Sequence, residues 1–167
     1  MSIAFKLEDL LDYSDHERGK WREWVAADQA RLALTFQQGG RFPTIGSMLD
    51  HTFLVERRHL ARLQGSTPPE STGIAADDGQ ALFDYADLVR ADLRKYVEQM
   101  DDAQGRETLT FTPLTGGTVT MTRRKLALHI VLHEVRHLAQ IALAARAAGH
   151  EPPGRHDFFY YPGDPEA

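Results

Sequence analysis

Three of the eight histidines, His129, His133 and His137, fall within nine residues at a spacing of four. On a helix, residues four apart lie one turn apart on one face, so two such neighbours can share a metal ion. All three cannot. His129 and His137 are separated by roughly 12 Å of helix rise, whereas metal–nitrogen bonds are only about 2.0–2.1 Å long. The apolar pattern selects the pair. Leu126, Ile130, His133, His137, Ile141 and Ala144 step by four, three, four, four and three along one stripe. His133 and His137 thus stand where core residues belong, and His129 lies beside them. Two imidazoles side by side in a core must share something polar, and a metal ion satisfies both. The bland alternative is a His-rich helix face without a role.

One helix supplies only two such ligands, so a third must come from a facing element. His51 lies between Met48 and Val55 in a second apolar segment that must pack inward, and it is the expected third ligand. His59, two turns further on, stands in reserve. His16 is flanked by Asp15 and Glu17 and reads as solvated, and His150 and His156 lie in a Pro-rich tail without an evident role.

His133-Glu134-Val135-Arg136-His137 also matches H-E-x-x-H, which in zinc peptidases supplies two ligands and a glutamate base. The extensions of that motif are absent: Gln140 and Leu143 stand where Gly and His are needed in one class. Only Glu151 and Glu166, both in the tail, stand downstream for another. Glu134 is therefore a candidate base or supporting group, with a solvated acidic residue as the expected outcome. Gln140, one turn beyond His137, could orient a ligand or simply border the stripe.

Four helices must position these groups. They are expected at about 3–27, 43–64, 78–101 and 122–148, followed by an aromatic tail over 150–167 in a single 1–167 domain. In the first, Leu7, Leu10, Leu11, Trp21, Trp24 and Val25 form the stripe, broken by Ser14, Glu17 and Arg18. That break is either a surface exposure or one wall of a polar cavity. Pro43 suits the first turn of the second helix, and Gly65–Gly73 ends it as an exposed loop. Asp77 or Asp78 can cap the third helix, a plain core stripe. Between 108 and 121, Leu109, Phe111, Val119 and Met121 alternate with polar residues around a Gly-Gly turn, which suggests a short hairpin or extended crossover. Gly149 stops the last helix, and the tail's aromatics suggest that it folds back onto the bundle or onto a second subunit. The reading is all-α: an antiparallel four-helix bundle with a short extended crossover before the last long helix.

Composition bounds the function. The net charge is −5 and no basic run is present, which gives no electrostatic case for nucleic acid. No cysteine is present, so a disulfide framework and a thiolate ligand are both excluded. No stretch approaches 18 apolar residues, so no membrane span is expected. The first ten residues turn acidic without a leader-like apolar run, and a cytoplasmic address is expected.

With these residues in hand, the chain resembles the DinB-like (DinB/YfiT) metal-dependent proteins over almost its whole length. The resemblance is carried by Leu10-Leu-Asp-Tyr13 and Trp21, by Asp50-His51 and Val55-Glu-Arg-Arg-His-Leu60, by the Thr-rich segment with its Gly-Gly turn, and by His133-Glu-Val-Arg-His-Leu-Ala-Gln140. It implies a four-helix bundle with one divalent transition metal (zinc, nickel or iron) on three histidines, which match His51, His133 and His137. It also implies a homodimer. Some relatives are enzymes that use a low-molecular-weight thiol, with the metal acting as a Lewis acid on it. A metal-dependent transferase or hydrolase acting on a small molecule is the resulting expectation, with a non-catalytic metal-binding stress-response bundle and an H-E-x-x-H peptidase as alternatives.

Overall fold

The computed structural model describes residues 6–36, 40–113 and 116–163. Four long helices dominate: α1 (Leu7–Ala27), α2 (Ile45–Leu63), α3 (Gly79–Gln99) and α5 (Arg123–Ala147). A short helix α4 (Asp102–Arg106) and a hairpin of β1 (Thr108–Phe111) and β2 (Val119–Thr122) connect α3 to α5. The hairpin is antiparallel, with Thr108 opposite Thr122 and Phe111 opposite Val119. Part of its turn, Leu114 and Thr115, lies outside the described residues, as does part of the loop at 37–39.

Local chemistry sets the helix ends. Thr44 caps α2 in a reciprocal box, its Oγ1 accepting from the Ser47 amide at 3.1 Å while Ser47 Oγ accepts from the Thr44 amide at 2.9 Å. Such a cap stabilises by about 1 kcal/mol. Pro43 therefore stands just outside the helix, not in its first turn, because Thr44 takes the cap position and the Pro43 carbonyl accepts from the Phe36 amide. Asp78 caps α3 and Thr122 caps α5. After α5, Gly149 at φ 82° allows its own amide to reach the Arg146 carbonyl and the His150 amide to reach that of Ala145. The helix α4 was not expected. Asp101 and Gln104 cap each other's backbone and start it, a signal too short to show in apolar periodicity.

Two apolar cores stack along the helices. One contains Trp21, Leu49, Phe53, Leu82, Phe83, Leu138 and Ile141. The other contains Leu11, Leu60, Leu63, Val89, Leu93, Leu126 and Ile130, with Leu109, Phe111 and Met121 of the hairpin against it. Read in chain order, α1 and α5 run from the second core to the first, and α2 and α3 run the other way. Each helix contacts two others: α2 packs on α5 and α3, and α1 packs on α3 and α5. The pairs α1–α3 and α2–α5 are thus antiparallel, whereas α2 and α3 run alongside one another. The segment between α2 and α3 makes this possible by returning along α2. Arg58 donates to the Pro69 and Glu70 carbonyls, and Thr72 donates to Asp50. At the end of this return Gly46 has no room for a side chain, because a Cβ there would meet the Ala76 carbonyl.

Between the two cores lies a charged layer with one member from each long helix: Arg18, Glu56, Arg90 and Glu134, none more than 4% exposed. Arg18 Nε donates to Glu134 Oε1 at 2.8 Å and its Nη2 to Glu56 Oε2 at 2.6 Å. Arg90 Nε donates to Glu56 Oε1 at 2.8 Å and its Nη2 to Glu134 Oε2 at 2.5 Å. Ser14 Oγ adds a donor to Glu134, and Asp15 accepts from Arg90. Two positive and two negative groups close on one another, which is the condition under which buried charge is tolerated. The polar break in α1 is therefore buried.

The tail returns onto α1. Tyr13 Oη donates to the His156 carbonyl and Trp24 Nε1 to that of Glu151, each at 2.8 Å. The His156 ring stacks on Trp21 with centroids 5.1 Å apart, and its Nδ1 lies 2.5 Å from Glu17 Oε2. Among the described residues no helix is long and apolar enough to cross a membrane.

Candidate metal centre

The α2–α5 contact brings the expected residues together. His133 and His137 leave α5 one turn apart, and His51 reaches them from α2. Their ring centroids lie 5.2 Å (His51–His133), 5.1 Å (His51–His137) and 4.3 Å (His133–His137) apart. Each offers one nitrogen, and these nitrogens all lie within 4.8 Å of one another. Nε2 of His133 and Nε2 of His137 are 3.1 Å apart. Two nitrogens bonded to one ion at tetrahedral angles would be roughly 3.3 Å apart, so the α5 pair already has the right separation. A small side-chain rotation closes the set.

Neighbouring groups fix the rings. Phe42 stacks on His51 at 3.9 Å. Gln140 Oε1 lies 2.6 Å from His137 Nδ1. With the amide oxygen as acceptor, His137 carries its proton on Nδ1 and turns the Nε2 lone pair toward the site. The short Nε2–Nε2 contact then requires His133 to donate from Nε2, a proton it must move to Nδ1 before it can ligate.

The site favours neutral imidazole. Burial, reinforced by His137 and by Arg41, Arg58 and Arg136, lowers the His51 pKa to about 4. Burial and the neighbouring His137 and His51 lower His133 to about 2. Burial also lowers His137, against the opposing effect of its bond to Gln140. All three are free bases at neutral pH, as metal ligands must be. Two are buried, while His51 is half-buried and Gln140 exposed, so the cluster has a solvent-facing side. The donor set suits a borderline transition ion; three imidazoles do not discriminate zinc from nickel or iron.

The other candidates fall elsewhere. His129 and His59 extend the row without joining the three. The His129 ring is 5.6 Å from that of His133 and 5.3 Å from that of His59, whose Nδ1 is 3.2 Å from Arg62 Nη1. His59 is buried, and burial with Arg62 lowers its pKa to about 3. His16 is half-buried, its ring 5.4 Å from that of Tyr161. Glu134 is the clear correction. It is 1% exposed, not solvated, and it faces the charged layer. The reason is angular: on a helix the residue after His133 points about 100° away from it. Its partners Arg18, Glu56 and Arg90 were not singled out as a set. The available signal was charge of alternating sign interrupting the apolar stripe of every long helix.

None of the curated proteins matches the chain in sequence. Among solved structures, a conserved protein from Enterococcus faecalis superposes with a TM-score of 0.63 at 16% identity, over 86% of this chain and 97% of that one. At that identity the likeness is one of fold. The sequence model of the DinB family matches residues 1–166, and the chain belongs to the DinB family.

Proposed function

We propose that the chain is a metal-dependent enzyme acting on a small molecule, with one divalent transition metal held by His51, His133 and His137 in a four-helix bundle. The observation that carries this reading is the convergence of three neutral imidazoles from facing helices with their nitrogens within 4.8 Å of one another. The bound ion would supply Lewis acidity, lowering the pKa of a thiol or water at its open side. The chain's residues do the rest. Gln140 sets the His137 tautomer, Phe42 holds the His51 ring, and the half-buried edge at His51 leaves a side for substrate. Three protein ligands with an open side are the pattern of catalytic rather than structural metal sites. A thiol transferase or a hydrolase fits this arrangement. A peptidase does not, because both oxygens of Glu134 are occupied by Arg18, Arg90 and Ser14.

The test is metal content by mass spectrometry on tag-free protein, beside His133→Ala and His137→Ala. Near-stoichiometric metal in the wild type, lost in both variants, is expected, followed by turnover in a screen of low-molecular-weight thiols with electrophiles. A wild type that takes up neither zinc nor nickel on reconstitution would refute the metal site, and the enzyme reading with it.

A further inference from the structure

The row of histidines in the α2–α5 groove is bordered by four arginines that no carboxylate neutralises. Arg41, Arg58, Arg62 and Arg136 form no ion pair among the described residues, in a chain whose net charge is −5. Two of them are held in place. Arg58 donates Nε to the Pro69 carbonyl at 2.8 Å and Nη2 to that of Glu70 at 2.5 Å. Arg62 lies 4.6 Å over the Phe111 ring with Nη1 on His59. Arg58 follows His51 by seven residues, two turns along the same face of α2, and Arg136 adjoins His137. Burial and the nearby Arg58 lower the Arg62 pKa, a sign that the positive charge here is not compensated.

The two ends of the row are built alike. At one end His51 stacks on Phe42, which carries the Arg41 guanidinium 5.6 Å from its ring centre. At the other, His59 meets Phe111 at 6.0 Å, which carries that of Arg62. Each end thus presents imidazole, phenyl and guanidinium in turn. His51 and His59 are eight residues apart, roughly 12 Å along the helix. Phenyl faces bind an apolar or aromatic body. Guanidinium groups bind carboxylates by paired hydrogen bonds, and a cleft lined by one sign of charge concentrates the opposite ion.

We propose that this groove takes a small organic anion, an apolar or aromatic body between Phe42 and Phe111 with its carboxylate on the arginine rim. This names the substrate class of the proposed metal site and rests on that reading. Tag-free, full-length protein, metal-free and zinc-loaded, is titrated calorimetrically with phenylacetate, with neutral phenylacetamide and with inorganic phosphate. Saturable phenylacetate binding is expected, about tenfold or more tighter than that of the amide. In the triple variant R41Q/R62Q/R136Q that preference should disappear, while R106Q, which alters an exposed pair with Asp102, should retain it. Equal affinity for acid and amide, or an acid preference unchanged in the triple variant, would overturn the proposal. Phosphate binding as tightly as phenylacetate would overturn the organic body. Zinc content of the same samples reports separately on the metal. Stoichiometric zinc without charge selectivity removes the anion site alone, whereas arginine-dependent selectivity without zinc keeps the anion site and removes the ion.

Discussion

Replacing Glu134 by Gln separates two accounts of the H-E-x-x-H segment. In the structure the substitution removes one negative charge from a buried set in which Arg18 and Arg90 balance Glu56 and Glu134. It also turns an amide donor toward groups that themselves donate. Breaking a buried pair on one side destabilises by about 3–5 kcal/mol. Asp15, partly exposed and 2.6 Å from Arg90, offsets some of the excess positive charge, which places the expected loss near the lower end, about 3 kcal/mol. For a chain of this size that corresponds to a fall in Tm of roughly 6–12 °C at pH 7. The loss should depend on pH in a defined direction. Burial acts to raise the Glu134 pKa, but Arg18 and Arg90 outweigh it and hold the carboxyl at about 2, below its ordinary 4.5. A depressed carboxylate pKa stabilises the fold above the unfolded value, and that stability is lost as pH falls from about 4.5 toward 2. The gap between wild type and variant should therefore be full at pH 7 and narrow below pH 4. Urea and thermal unfolding followed by circular dichroism at several pH values measure it, and zinc content under native conditions should match the wild type. A Tm within about 2 °C of wild type at pH 7 would refute the buried-network account.

Two further outcomes follow from contacts at the edges of the site and the fold. Gln140→Ala removes the acceptor of His137 Nδ1 and should weaken zinc affinity by about 10- to 100-fold in competition with a chromophoric chelator, with little change in Tm; unchanged affinity would mean that Gln140 only borders the groove. His156→Ala removes the ring that stacks on Trp21 and contacts Glu17 and should speed tryptic cleavage after the exposed Arg155 by about tenfold. Burial acts to raise the Glu17 pKa, while His156 and Lys20 pull it down more strongly. Acidification through the depressed value should therefore loosen the tail of the wild type as well, and cleavage equally slow in both proteins would show that the tail is held by its other contacts.

Apolar periodicity made the long helices legible almost to their ends: expected bounds of 43–64, 78–101 and 122–148 meet Ile45–Leu63, Gly79–Gln99 and Arg123–Ala147. It also placed His133 and His137 on an inward stripe, because three- and four-residue steps report a face directly. What it could not report was the partner across a gap. Ser14, Glu17 and Arg18 looked equally like a surface interruption, since a buried charge and a solvated one are written with the same letters. Only the neighbours from three other helices distinguish them. Glu134 was misjudged for the same reason. The direction of α3 was equally hidden, because 15 residues between α2 and α3 serve a tight turn or a full return alike.

The charged layer and the histidine row occupy different faces of the same two helices. Glu56 and Glu134 look inward toward Arg18 and Arg90, and His51 and His133 look toward the groove between α2 and α5. A slip of either helix by one turn would part all four ion pairs, so the layer works as an indexing key that sets depth and rotation for the imidazoles from behind. Alignment and selectivity are thereby uncoupled. Residues on the rim, such as Arg41, Phe111, His129 and Arg136, can be exchanged to suit another ligand while the three nitrogens stay in place. In evolutionary terms the fold holds its chemistry constant on one side of α5 and leaves the choice of substrate free to drift on the other.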